Sequence, residues 1–377
     1  MKNVLFLSVS IGAGHDQAAQ ALIQEIEYRY PRCKTKLVDT IAYINPILNK
    51  IMVAGYMGCL NFNPKIWGYL YGQAEEGTKF LNLGQLILRT RSINKMAELI
   101  QEFKPQAIIC THPFSAGIVS ELKARKISQA PLIAVITDFT IHPFWIHKNI
   151  DKYVIPADSL KYEIMQFDIP EERIIPTGIP IRRQFIEQPS KTEARNRLGL
   201  ENKTTVLVMG GGLGLGKIEL IVKTLADSGL DLQIVTVTGK NEKLQMKLRQ
   251  VTGKNKVKVF GYVENMSLIM AASDVIVTKP GGLTAAEVLA VGLPMIMINF
   301  LPGQEERNAD FLLNNGAAIK LRKIQHLIPQ LKELTSNEIR LKQIKDSAFA
   351  LGRPYAARDL IDQLKSEVFL KFSLIQG

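Results

Sequence analysis

Apolar and polar positions follow two rhythms along the chain. Val4–Val9, Ala107–Cys110, Leu132–Thr137, Thr205–Met209, Leu232–Val237, Val257–Phe260, Asp274–Thr278 and Pro294–Asn299 are short, largely apolar runs rich in β-branched residues. Runs of this length and kind predict buried strands. Lys34–Val38, Tyr153–Ile155 and Ile174–Pro176 read as further strands. Between them the spacing becomes helical: Ala18, Ala19, Leu22, Ile23 and Ile26 share one face, and Ile218–Leu225 and Thr284–Val291 repeat the pattern. Strand, glycine loop, helix, strand is the opening of a doubly wound α/β domain. The rhythm runs once to about Gly178 and restarts at Thr205, which predicts two Rossmann-like domains, 1–180 and 200–350, followed by a helical tail at 351–377. The polar stretch Glu187–Asn202 reads as a linker with a short helix. Two such domains facing each other would leave a cleft between their strand ends, where ligands gather.

One region breaks the rhythm. Residues 45–95 read as a helical insertion carrying Tyr56, Phe62, Trp67 and Tyr69 among many aliphatic residues, with Lys50, Lys65, Lys79, Arg89 and Arg91 scattered through it. Apolar and aromatic side chains beside lysine and arginine suit a bilayer interface. They equally suit an insertion that covers its own core.

Length and composition sharpen this picture modestly. At 377 residues the chain exceeds the usual size of a single core. A net charge of +12 points to anionic partners, or simply to solubility. No nucleic-acid module is recognisable, and nucleic acid is not an expected partner. Three cysteines, Cys33, Cys59 and Cys110, form neither a disulfide framework nor a metal spacing and suggest a reducing compartment. The apolar N-terminus passes directly into Gly12 and a polar helix, so it reads as a first strand rather than a signal peptide. No apolar run approaches membrane-spanning length. The expectation is a cytoplasmic protein.

The candidate chemistry lies at strand ends. In Lys279-Pro280-Gly281-Gly282-Leu283-Thr284-Ala285-Ala286-Glu287 a strand is followed by two glycines and a helix start, which brings bare backbone N–H groups and the helix dipole up to an anion. Glu287, one turn further, suits a sugar hydroxyl such as a ribose; it is also an ordinary helix-start acid. His15 follows Gly12-Ala13-Gly14 at the start of a helix, where the dipole favours a neutral imidazole able to take a proton from an alcohol. It could also merely cap or pack. His112, Asp138 and His142 fall at or just past strand ends. Asp138 could orient a base, accept a substrate hydroxyl, or cap its loop. No metal-ligand spacing is evident. Gly210-Gly211-Gly212-Leu213-Gly214-Leu215-Gly216 holds more glycine than a turn needs, which suggests close backbone approach by a ligand or by the other domain. Gln304 and Glu305 suit adjacent sugar hydroxyls, or a capped helix start.

Gly12-Ala13-Gly14-His15, Gly178-Ile179-Pro180-Ile181, Gly210–Gly216, Gly261-Tyr262-Val263, Lys279–Glu287 and Pro302-Gly303-Gln304-Glu305 occur in the order seen in glycosyltransferase family 28. Over nearly its whole length the chain most closely resembles the monogalactosyldiacylglycerol synthase and processive diacylglycerol glucosyltransferase branch. The resemblance implies a GT-B fold and inverting transfer of a hexose from UDP-glucose or UDP-galactose to diacylglycerol, with no cofactor and no catalytic metal. It implies glycolipid synthesis at the inner face of the cell membrane, on an anionic surface, with the insertion receiving the lipid. By position, His15 matches the family's base and Glu287 its ribose ligand. Gly281, Gly282 and Thr284 match the pyrophosphate loop, with Gly211, Gly212 and Gly214 in the middle donor loop. Tyr262 and Val263 match uracil contacts, Gln304 and Glu305 contacts to the donor sugar, and Arg182 an arginine facing UDP. Leu213 departs from the acidic or small polar residue often found at its place. Other readings are a UDP-sugar 2-epimerase of the same fold, transfer of N-acetylglucosamine to a lipid-linked peptidoglycan precursor, and a non-catalytic UDP-sugar sensor.

Overall fold

The computed structural model describes residues 2–10, 14–47, 49–50, 90–214 and 216–366. Tyr56, Phe62, Trp67, Tyr69 and most of the predicted insertion lie outside the described residues, as does Gly12. The chain divides into two compact units, 1–183 with 301–304 and 355–377, and 184–300 with 305–354.

The first unit is built on a six-stranded parallel sheet: β1 (Asn3–Ser8), β2 (Lys34–Asp39), β3 (Ala107–Cys110), β4 (Leu132–Val135), β5 (Lys152–Val154) and β6 (Ile174–Ile175). The spatial order is β2-β1-β3-β4-β5-β6. Its helices are α1 (Gly14–Arg29), α2 (Thr40–Ile44), α3 (Thr90–Phe103), α4 (Pro113–Ala124) and α5 (Lys161–Met165). Every residue of β3 and of β4 is buried, as expected of parallel strands covered on both faces.

The second unit repeats the plan. It begins with α6 (Lys191–Arg197) and adds β7 (Thr205–Met209), α7 (Ile218–Ala226), β8 (Gln233–Val237), α8 (Glu242–Arg249), β9 (Val257–Phe260) and α9 (Met266–Ala272). It continues with β10 (Val275–Thr278), α10 (Gly282–Val291), β11 (Met295–Met297), α11 (Gln304–Asn314), β12 (Ala318–Lys320), α12 (Leu327–Ser336) and α13 (Glu338–Leu351). The sheet order is β12-β11-β10-β7-β8-β9. The edge strand β12 was not expected; it is three residues long and only its first is buried, so it leaves little apolar signal.

Two stretches gain definition beyond their sequence reading. Glu187–Asn202 contains the expected short helix, α6. Asp274, just before β10, accepts from Lys191 Nζ at 2.5 Å and from Arg195 Nη2 at 2.6 Å, which fastens α6 to the second unit. The tail also has a place: α14 (Ala356–Leu364) packs on α1, and Ala357, Leu360, Ile361 and Leu364 join the core cluster of Val4, Phe6, Leu22 and Ile26 in the first unit.

Candidate active site

In the first unit the sheet order places β1 between β2 and β3, so the chain leaves β1 in one direction and later returns on its other side. This is the topological switch point of a doubly wound sheet, where the carboxyl ends of the strands open a crevice. Ser8 Oγ donates to Asp16 Oδ1 at 2.5 Å and Ser10 Oγ to Asp16 Oδ2 at 2.8 Å, tying the end of β1 to the first turn of α1. Asp39 accepts from Ser10 N at 3.1 Å while capping α2 through Ala42 N at 2.9 Å. Between these anchors His15 is held as the second residue of α1.

The His15 ring has a defined hydrogen-bonding state. Nδ1 lies 2.8 Å from the Thr111 carbonyl oxygen, just past β3, and 2.8 Å from Thr137 Oγ1, just past β4. A carbonyl only accepts, so Nδ1 carries the hydrogen, and the neutral ring presents its lone pair at Nε2. His112 packs edge-on against it, with ring centres 4.7 Å apart and planes at 78°. His112 Nδ1 accepts from Phe114 N at 3.2 Å and caps α4, so its hydrogen sits on Nε2. Burial, and secondarily the neighbouring His15, hold His112 well below the usual histidine range and keep it uncharged. His142 has become a cap, accepting from Phe144 N at 3.1 Å.

Asp138 is half-buried, next to Thr137 in the chain. The orienting oxygens on His15 Nδ1 are those of Thr111 and Thr137 rather than the Asp138 carboxylate. Arg182 is half-buried among the last residues of the first unit, beyond β6.

In the second unit β7 takes the equivalent central place, between β10 and β8. Its glycine loop meets the loop after β10: a Cβ on Gly211, at φ +69°, would lie 3.7 Å from Lys279 Cε. The loop is packed most tightly by its own unit. A Cβ on Gly214 would lie 2.3 Å from the Thr238 carbonyl oxygen, and one on Gly239 2.3 Å from that of Gly212. Lys240 N donates to Gly212 O at 3.1 Å across the same contact. Loop-on-loop packing therefore calls for glycine at 214 and at 239.

Gly281 is the N-cap of α10, has no side-chain cap, and faces open space where a Cβ would point. No acid stands in the first turn of α10. The N-terminal N–H groups of this helix, including those of Gly282 and Thr284, thus form the anion-receptive end of the second unit. Glu287, further along α10, is half-buried. Lys279 is committed elsewhere: its Nζ pairs with buried Glu305 Oε1 at 2.5 Å. Asn308 Nδ2 donates to Pro280 O at 3.0 Å, so α11 holds the β10 loop at two points. Glu305 is thereby an internal partner of the lysine that follows β10, while Gln304 opens α11 half-exposed. Tyr262 is 50% exposed, and with half-buried Val263 it follows β9.

Sequence reasoning missed Thr111 and Thr137 as holders of His15, and Asn308 and Lys279 as links between loops. Only position signals the threonines: Thr111 directly follows β3 and Thr137 comes two residues past β4, at strand ends that the switch-point rule marks out. Among the described residues no group of three His, Cys, Asp or Glu could hold a metal ion, and no helix is long and apolar enough to cross a membrane.

Comparison with known proteins identifies the family and the fold. Residues 15–181 match the family described as monogalactosyldiacylglycerol (MGDG) synthase, and residues 205–363 match the glycosyltransferase family 28 C-terminal domain. A processive diacylglycerol beta-glucosyltransferase of Bacillus cereus (strain AH187) is 32% identical over 97% of this chain and 93% of its own. That of Bacillus thuringiensis (strain Al Hakam) is 31% identical with the same coverage. Among solved structures, Acinetobacter baumannii MurG aligns with a TM-score of 0.64 at 15% identity, covering 97% of this chain and 100% of that one. UDP-GlcNAc 2-epimerase from Neisseria meningitidis, bound to UDP-GlcNAc, gives 0.59 at 15% identity with the same coverage. At such identities these two show the fold, which is GT-B. With both halves matched in order and the curated relatives spanning almost the whole length, the chain belongs to glycosyltransferase family 28, in its monogalactosyldiacylglycerol synthase and processive diacylglycerol glucosyltransferase branch.

Proposed function

We propose that the protein is an inverting transferase that moves a hexose from UDP-glucose or UDP-galactose to the hydroxyl of diacylglycerol, working on the inner, anionic surface of the cell membrane. The observation that carries the mechanism is the committed Nδ1 of His15. It leaves Nε2 as an acceptor at the switch point of the first unit, which is what a general base for an alcohol requires. The substrate class is supported by the curated relatives, which are named for diacylglycerol.

In this reading His15 Nε2 takes the acceptor proton as the oxygen attacks the anomeric carbon, and UDP leaves from the opposite face. The exposed N–H groups at the start of α10 stabilise charge on the leaving diphosphate, each worth about 3 kcal/mol where water is excluded. Gly211, Gly281, Gly282 and Thr284 lie along the diphosphate. Glu287 binds the ribose, Tyr262 and Val263 the uracil, and Gln304 the donor sugar, with Glu305 acting through Lys279. Arg182 faces UDP, and Asp138 receives an acceptor or sugar hydroxyl. Tyr56, Phe62, Trp67 and Tyr69 receive the lipid. No step calls for a metal or cofactor, so transfer is expected to survive chelation.

The test is incubation with diacylglycerol vesicles and each UDP-sugar, with lipid products resolved by mass spectrometry. A glycosyl diacylglycerol from one donor is expected. Donor epimerised without lipid product would favour the 2-epimerase reading instead. His15→Ala should abolish transfer and leave UDP affinity nearly unchanged, whereas Glu287→Ala should weaken UDP binding roughly tenfold. Retained transfer in the first variant, or unchanged affinity in the second, would remove that residue from its role.

A further inference from the structure

We propose that His112 is a second catalytic group of this transfer, its Nε2–H holding the oxygen of the same acceptor hydroxyl whose proton goes to His15. The inference rests on the transferase reading above and adds a residue to its acceptor site.

The two imidazoles stand side by side but in opposite hydrogen-bonding states. His15 gives its only hydrogen to Thr111 O and Thr137 Oγ1 and is left with an acceptor. His112 spends its acceptor on Phe114 N and is left with a donor. Among the described residues neither Nε2 has a hydrogen-bond partner. The ring centres are 4.7 Å apart. Two hydrogen bonds of about 2.9 Å to one oxygen span more than that, so one hydroxyl can engage a nitrogen of each ring. A hydroxyl is a donor and an acceptor at once, and this pair is its complement.

The chemistry gives the pairing a purpose. Diacylglycerol offers one polar handle on an otherwise apolar molecule, and a single bond to His15 would leave that handle free to swing. A second bond fixes the oxygen lone pair that must meet the anomeric carbon, and positioning of this kind is a large part of catalysis. In the step itself the hydroxyl proton passes to His15 Nε2 and the oxygen lone pair forms the new bond to the anomeric carbon. The bond from that carbon to the diphosphate breaks with its electrons going to UDP. His112 exchanges no proton. Its burial and its charged-state conflict with protonated His15 keep it a neutral donor throughout.

The cap and the donor can be separated by substitution, because they reside on different nitrogens. Asparagine at 112 retains an acceptor at the cap position but lacks the far N–H. Glutamine reaches as far as Nε2 but caps poorly. His112→Asn should keep its melting temperature and its UDP affinity yet lose at least about tenfold in turnover with diacylglycerol. His112→Gln should melt lower but keep most of the turnover. Wild-type turnover in His112→Asn, or equal losses in both variants when both are folded and bind UDP, overturns the proposal. Absence of sugar transfer by the wild-type protein would instead defeat the transferase reading on which it rests.

Discussion

His112 and His147 carry a consequence for stability that is separate from chemistry. Burial lowers both below the usual histidine value of 6.5, in His147 against the pull of two backbone carbonyls that favour the charged form. Between those lowered values and 6.5 the unfolded chain binds more protons than the folded one, so stability falls as the pH drops through that window and is full above it. Melting at pH 8 and at pH 5.5 should therefore differ by a few °C, with the lower value at pH 5.5 and a smaller difference in His112→Asn. Equal shifts in the variant and the parent would assign the effect to other groups. The buried thiols of Cys33 and Cys110 are pushed upward, again by burial, and so are poor nucleophiles in the folded protein.

Among the elements, α10 shows how function and stability oppose each other. Its N-cap is Gly281, with φ −68° and ψ 140°, a conformation that any L-residue adopts, and with open space beyond. Gly281→Asp should cap the helix and suit its dipole, raising stability by about 0.5 kcal/mol. The same carboxylate would stand where the diphosphate is proposed to lie, so UDP affinity should fall at least tenfold by calorimetry. A variant both more stable and equally tight for UDP would sink the placement of the diphosphate. This helix was legible in the sequence because strand, glycines and helical spacing fall in one continuous stretch, and β1, β3, β7 and β10 were legible as buried apolar runs. What was not legible is long-range pairing. Nothing local in Thr137 tells that it holds a histidine 122 residues earlier. Likewise, nothing local in Glu305 tells that it pairs with Lys279 within the chain. The glycines after β7 were seen, but not the contact that Gly214 and Gly239 allow between this loop and the one after β8.

For the molecule as a whole, the first unit is assembled from separate parts of the chain. Leu360, Ile361 and Leu364 of α14 are completely buried there, and Arg29 Nη2 pairs with Asp362 at 2.5 Å on the rim. Each of those apolar side chains contributes about 2 kcal/mol on burial, far more than the exposed ion pair. Truncation after Pro354 should cost the first unit several kcal/mol and abolish transfer, while the second unit retains UDP binding; loss of UDP binding alone would contradict this division. The same return of the chain bears on biosynthesis. The half that leaves the ribosome first lacks its closing helix until the other half has been made, so the apolar flank of α1 waits uncovered for that whole interval. A chaperone acting on this protein during translation would find its binding site there, and the finishing event of folding is the docking of the last segment onto the first.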